Sequence, residues 1–248
     1  MKLKDKVAIV TGAAAGFGEA IARAFAREGA LLVIADINEG AGVAVAKSMP
    51  NASFVACDVT RGEDVKALVS AAEEAHGGLD ILVNNAGTTH QRKPMLDVPE
   101  DEFDRVYATN VKSLYFGAIH GVPALRRRGG GVILNIASTA GVRPRAGLTW
   151  YNGTKGAVIT LTKSMAIELA DDKIRVCAIN PVIGETGLLT AFMGGPDTPE
   201  LREQFISSIP LGRMSRPGDI ARAAVFLCSN DAEFITGLCM EVDGGRCI

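Results

Sequence analysis

Residues 132–155 read VILNIASTAGVRPRAGLTWYNGTK. The opening run, Val132 to Ile136, has the β-branched content and length of a buried strand. Ser138 stands just past its end, where open α/β sheets place their ligands. A loop bearing Gly and Pro follows, and Tyr151 then opens a long helical pattern. Tyr151 and Lys155 lie four apart, so on a helix they share a face. A hydroxyl, a phenol and an ammonium would thus converge. A free phenol titrates near ~10 and is a poor base at neutral pH. A neighbouring cation such as Lys155 lowers that value by roughly 1–3 units. Tyr151 would then exchange a proton with a substrate oxygen held by Ser138. A surface Tyr beside a solvated Lys is the plainer alternative, and Y-x-x-x-K alone does not decide between them.

Upstream, the strand Val7–Val10 runs into Thr11-Gly12-Ala13-Ala14-Ala15-Gly16-Phe17-Gly18, and a helix with Ala20, Ile21, Ala24 and Phe25 on one face follows. A strand, a glycine turn and a helix N-terminus make an anion site: bare backbone admits a pyrophosphate and the helix dipole favours it. The spacing G-x-x-x-G-x-G departs from the commoner G-x-G-x-x-G, and glycine turns also serve tight packing. The second strand, Leu31–Ala35, ends at Asp36, a carboxylate placed to take both ribose hydroxyls of an adenosine. It would repel a 2′-phosphate, and neither Ile37, Asn38 nor the glycine loop offers a cation in compensation. The expected cofactor is therefore NAD rather than NADP, with a helix-capping Asp as the alternative role.

The remaining chain keeps alternating strand and helix. A third strand, Ser53–Cys57, ends at Asp58-Val59, and a helix is expected from about 61 to 75. The strand Leu79–Val83 ends in Asn84-Asn85-Ala86-Gly87, whose amides can tie neighbouring strands together. A helix over about 101–127 carries Asn110, a poor helix former, mid-pattern. Its closing Arg126-Arg127-Arg128 reads as a solvated helix end complementing the dipole. Residues 184–212 are rich in Gly and Pro around a short helical pattern at 199–208, which suggests a lid. A last helix, 217–228, precedes the strand Leu238–Val242 and Asp243-Gly244-Gly245. The expected fold is a doubly wound α/β domain spanning 1–248, a parallel Rossmann-type sheet with helices on both faces.

Bulk properties narrow the classes. The 248 residues are 48% hydrophobic and 22% charged, with a formal net charge of −2. That balance gives no electrostatic footprint for nucleic acid. Five scattered cysteines without C-x-x-C and three isolated histidines suggest neither a disulfide framework nor a metal centre. No signal-like start and no apolar run of spanning length are seen, so no membrane association is expected and a cytoplasmic location is.

Thr11-Gly12-x3-Gly16-x-Gly18, Asp58, Asn84-Asn85-Ala86-Gly87, Asn110, Ser138, Tyr151-x3-Lys155 and Asn180-Pro181 occur in this order. Together they resemble the classical short-chain dehydrogenase/reductase family over essentially the whole chain. The resemblance implies a catalytic set of Asn110, Ser138, Tyr151 and Lys155, with Asn110 holding a water in a proton relay to Lys155. Lys155 would also bind the nicotinamide ribose, and an oxidised nicotinamide would be a second cation near Tyr151. It implies dinucleotide contacts from Gly12, Ala15, Gly16, Phe17, Gly18, Asp36, Ile37, Asp58, Val59, Asn85, Ala86, Gly87, Pro181, Ile183 and Thr186, besides Tyr151 and Lys155. Two departures stand out: Val182 follows Pro181 where the family usually has glycine, and Gly153-Thr154 replaces Ala-Ser.

The implied activity is NAD(H)-dependent interconversion of a small-molecule secondary alcohol and a ketone. Two other readings are an NADPH-dependent 3-oxoacyl-carrier-protein reductase, which Asp36 opposes, and a catalytically silent dinucleotide sensor, which has no chemical need for Tyr151 and Lys155. The resemblance also implies a homotetramer packed through the helices of Asn110 and Tyr151; Ala157, Val158, Leu161, Met165 and Leu169 offer an apolar face, unless they belong to the monomer's own core. Finally, Arg92, Lys93, Arg143 and Arg145 lie in loops after strand ends. They are either a steering field for an anionic substrate or solvated charges answered by Asp97, Glu100 and Asp101, while Trp150 and Leu148 suit an apolar substrate.

Overall fold

The apolar runs form seven strands, β1 (Val7–Thr11), β2 (Leu31–Asp36), β3 (Ala52–Ala56), β4 (Ile81–Asn84), β5 (Gly131–Ile136), β6 (Ile174–Pro181) and β7 (Cys239–Val242), in a computed structural model describing residues 1–248. All pair in parallel, in the order β3-β2-β1-β4-β5-β6-β7. β1 and β2 are buried almost end to end on both faces, as a parallel sheet between helical layers requires. Helices α1 (Gly16–Arg27), α2 (Glu39–Lys47), α3 (Gly62–His76), α4 (Glu100–Tyr107), α5 (Ser113–Arg127), α6 (Thr149–Glu168), α7 (Leu189–Met193), α8 (Pro199–Ile206) and α9 (Pro217–Cys228) complete the chain. One core layer packs Ile21, Phe25, Ile220 and Leu227 against the sheet, and the other packs Val65, Leu68, Val69 and Leu125 against its opposite face. The doubly wound Rossmann-type architecture expected from the sequence is the one found.

The strand order reverses between β1 and β4, the switch point at which such sheets open a crevice. Thr11 and Asn85 hold that crevice apart. The Thr11 Oγ1 donates to Val83 O at 3.2 Å and accepts from the N–H groups of Asn85 and Ala86 at 3.0 and 3.1 Å. Asn85 Nδ2 reaches across to Thr11 O and Gly12 O, while Asn84 Nδ2 donates to Asn135 Oδ1 on β5. The paired asparagines thus tie the strands as expected.

Three local expectations need correction. The helix expected over 101–127 is interrupted at residues 108–112 by a π turn centred on Asn110. Arg126, Arg127 and Arg128 are each paired to a carboxylate, Asp172, Glu73 and Asp80, instead of being simply solvated. Trp150 faces away from the crevice, its Nε1 donating to Met95 O and its ring edge-on to Phe103.

At the opposite edge of the sheet the six helix-to-strand returns each contain a left-handed residue: Gly29, Asn51, Gly77, Gly129, Lys173 and Gly237 precede β2 to β7 in turn. At Gly77 the positive φ is the helix C-cap itself and at Gly29 and Gly129 it follows the cap directly, while Asn51, Lys173 and Gly237 lie later in their connections. No helix is long and apolar enough to cross a membrane.

Candidate active site

The C-terminal ends of the strands enclose a cavity of about 820 Å³. Every residue of the expected site lines it except Gly18 and Asn110. Those two work from behind. A Cβ on Gly18 would lie 2.1 Å from Gly12 O and 2.4 Å from Asn85 Nδ2, so only glycine lets α1 approach β1 this closely. Asn110 is buried; its Nδ2 donates to Thr88 O and Thr154 Oγ1, and its Oδ1 accepts from Thr88 N. These bonds use both N–H groups of its side chain and one lone pair of its oxygen. Thr88, not singled out from the sequence, and Thr154, noted there only as a departure from the family's serine, are what position it.

At one end of the cavity the glycine turn meets α1. Gly12 and Gly16 both have positive φ, and Ala15 at the N-cap offers no side-chain acceptor, leaving the first N–H groups of α1 without a side-chain cap. Asp36 closes this end. Its Oδ2 accepts from Ala14 N and its Oδ1 from Asn38 N, both at 2.9 Å, and it takes part in no ion pair. The helix cap at α2 is Asn38, not Asp36, which removes the capping alternative. Asp58 is held in a turn by Thr60, whose N–H and hydroxyl both donate to it. A bare helix N-terminus, glycine-lined approach and free carboxylate at the neighbouring strand end fit a dinucleotide.

At the other end lie Ser138, Tyr151 and Lys155. Ser138 caps the short turn after β5, accepting from Ala140 N at 3.0 Å, and stands beside the buried Tyr151 phenol. Lys155 Nζ donates to Ile136 O at 2.9 Å and lies 5.8 Å from the Tyr151 ring centroid. Burial pushes the phenol up to about 12, partly opposed by the Ser138 hydroxyl and then by the Arg145 charge. Burial pulls the Lys155 ammonium down to about 8. This corrects the sequence expectation: the phenol of the chain alone is raised, and the cation opposing that rise is Arg145, not Lys155. Nothing local to Y-x-x-x-K signals Arg145, which reaches the site through the loop before α6.

The segment 184–212, expected from the sequence to act as a lid, contributes to a small core of its own. Val182, the residue that departs from the family's glycine, is buried there with Ile183, Leu189, Met193, Phe205, Ile209 and Met214. Ser215 Oγ donates to Val182 O at 3.1 Å. The added side chain therefore anchors this segment to the end of β6. Thr186 stands against Gly16: a Cβ there would be 3.5 Å from its Cγ2. Phe192 of α7 packs on the Tyr151 ring at 5.1 Å between centroids.

Residues 12–246 match a family model described as enoyl-(acyl carrier protein) reductase. The chain is 52% identical over 250 residues to a 4-formylbenzenesulfonate dehydrogenase of Comamonas testosteroni, covering 99% of both chains. It is 37% identical over 249 residues to the 7alpha-hydroxysteroid dehydrogenase of Escherichia coli, covering 99% of this chain and 95% of the relative. The crystal structure of a 3-ketoacyl-(acyl-carrier-protein) reductase from Brucella melitensis, complexed with NADH, superposes with a TM-score of 0.94 at 47% identity, covering 99% of this chain and 100% of that one. With this fold and this order of motifs, the chain belongs to the classical short-chain dehydrogenase/reductase family of oxidoreductases.

Proposed function

We propose that the chain is an NAD(H)-dependent oxidoreductase interconverting an alcohol and a carbonyl compound, with Tyr151 as the proton-transferring group. The observation carrying this reading is the convergence of Ser138, Tyr151 and Lys155 on a cavity that continues to the glycine turn and Asp36. When bound, the dinucleotide supplies or accepts the hydride. In the reducing direction Ser138 orients the carbonyl oxygen and Tyr151, protonated at neutral pH, donates to it. In the oxidising direction Tyr151 accepts the alcohol proton, and the Arg145 charge favours the resulting phenolate. Asn110, locked by Thr88 and Thr154, holds the π turn against Lys155. Asp36 takes the adenosine ribose. The residues 184–212 act as the lid over the substrate, within a single domain.

The dehydrogenase relatives named for an aldehyde and a steroid support the alcohol/carbonyl class. The structural neighbour, a 3-ketoacyl-(acyl-carrier-protein) reductase, favours a second reading, a 3-oxoacyl thioester reductase; since that protein is complexed with NADH, cofactor choice does not separate the two. Turnover of neutral alcohols, ketones and an acetoacetyl thioester with NADH and NADPH does. Tyr151→Phe keeps the ring and removes the proton, so turnover should fall by roughly 10²–10⁴-fold while cofactor still binds. Near-normal turnover in that variant removes Tyr151 from the mechanism.

A further inference from the structure

Of the four loop cations, the structure gives a carboxylate partner only to Lys93, which pairs with Glu102. Arg143 donates to Arg246 O at 2.6 Å, and Arg92 Nε to Ala146 O. Arg145 alone lines the cavity with Ser138 and Tyr151. Its Nη2 is buried without a hydrogen-bond partner, and it enters no ion pair. Its guanidinium stacks 4.9 Å from the Phe205 ring of α8, in the lid region.

A second cation stands close by. Arg246 follows β7, where Asp243 fixes the tail by accepting from Gly245 N and Cys247 N. The Arg246 Nε and Nη1 are buried and equally unpartnered. Two like charges with idle donors, desolvated side by side, are costly unless an anion joins them. The Arg145 guanidinium accordingly falls to about 10, by burial first and then by the charges of Arg246 and Arg92. Leu148 and Phe192 pack with Tyr151 and give the cavity that Arg145 lines an apolar wall.

We propose that the substrate carries a carboxylate or sulfonate on an apolar body, opposite its reacting carbon, and that Arg145 binds this anion with Arg246 adding to the field. This rests on the alcohol/carbonyl reading of the same cavity. The guanidinium fork matches two oxygens of such a group, and the apolar wall suits its body.

The test compares kcat/KM for 4-formylbenzoate and 4-formylbenzenesulfonate with that for the neutral isostere 4-formylbenzamide. The wild-type anion-to-amide ratio should exceed roughly 30-fold for at least one anion, and Arg145→Met should lower that ratio by roughly 30-fold or more, chiefly in KM. Arg145→Lys, which keeps the charge but not the fork, should recover part of it. A wild-type ratio within about threefold of unity overturns the proposal without any variant, as does a ratio that Arg145→Met leaves unmoved. Titration calorimetry with unreactive benzenesulfonate, in the presence of NAD, reads the same site without turnover. Saturable binding that Arg145→Met abolishes supports the anion site, and no saturable binding overturns it. Absence of any turnover with both anions, the amide and neutral ketones and alcohols alike would instead refute the activity beneath it.

Discussion

Cofactor discrimination at Asp36 yields a quantitative prediction. Both carboxylate oxygens are pinned by backbone N–H groups at 2.9 Å, so the side chain cannot turn away from an incoming group. A 2′-phosphate replacing the ribose hydroxyl would bring a charge of about −1.5 to −2 to within roughly 5 Å of it. At an effective dielectric of about 40, suited to this half-exposed rim, each unit of charge costs about 1.7 kcal/mol, or about 3 kcal/mol in all. That corresponds to about 100-fold in kcat/KM. Asp36→Ala removes the repulsion and also the ribose bonds, each charged bond contributing about 1.5–3 kcal/mol to NAD recognition. The NADPH-to-NADH ratio should thus rise by at least about 100-fold. Ile37 is 78% exposed, so Ile37→Arg adds a phosphate partner at little cost to folding and should raise the ratio by about another tenfold. Initial rates against both cofactors at fixed carbonyl concentration measure it. A wild type that uses NADPH as well as NADH, or a ratio unmoved by Asp36→Ala, refutes the reasoning.

Other expectations follow from the same site. Lys155 titrates near 8 when folded against 10.5 as the ordinary value, so below 8 its charge is a folding penalty that is relieved as pH rises from 8 toward 10.5. Lys155→Met should therefore stabilise the fold at pH 7, by about 2 kcal/mol after loss of the Ile136 bond, with the gain shrinking by pH 10 in denaturant titrations; a gain that grows with pH contradicts this. Gly18→Ala should destabilise by about 2 kcal/mol or more and weaken dinucleotide binding together, since its methyl would strike Gly12 O and Asn85 Nδ2; an unchanged melting temperature would refute the close approach. A homotetramer is expected through α5 and α6, where Tyr115, Ile119 and Ile167 are exposed, although Val158 and Leu169 of the proposed stripe belong to the monomer's core. A monomeric mass in light scattering at micromolar concentration excludes it.

The sequence made the sheet legible because its strands are apolar on both faces and its ligand-bearing turns follow at once. Asp36, Ser138 and the Tyr151–Lys155 pair were legible for the same reason: each is fixed by position within one strand or one helical turn. The rest depended on contacts between distant segments. The fate of Asn110 is set by Thr88 and Thr154, and no residue near 110 announces the extra residue in its helix. The local charges around Arg145 suggested acidic neighbours, yet Arg246, about a hundred positions away, faces it. Trp150 is adjacent to Tyr151 in sequence, but one step along a helix turns a side chain by about 100°, which carried it to Phe103 instead of the substrate.

The left-handed returns at the far edge of the sheet separate two kinds of change the chain can tolerate. Six connections, each turned through a left-handed residue, fix where β2 to β7 begin, and altering their length would shift strand registry across the whole core. The loops at the ligand-bearing edge, chiefly 88–98, 139–148 and 182–216, leave strands whose position is already determined from below. They can be lengthened, recombined or exchanged with those of relatives as cassettes, so specificity can be rewritten on one rim while the foundation on the other is left untouched.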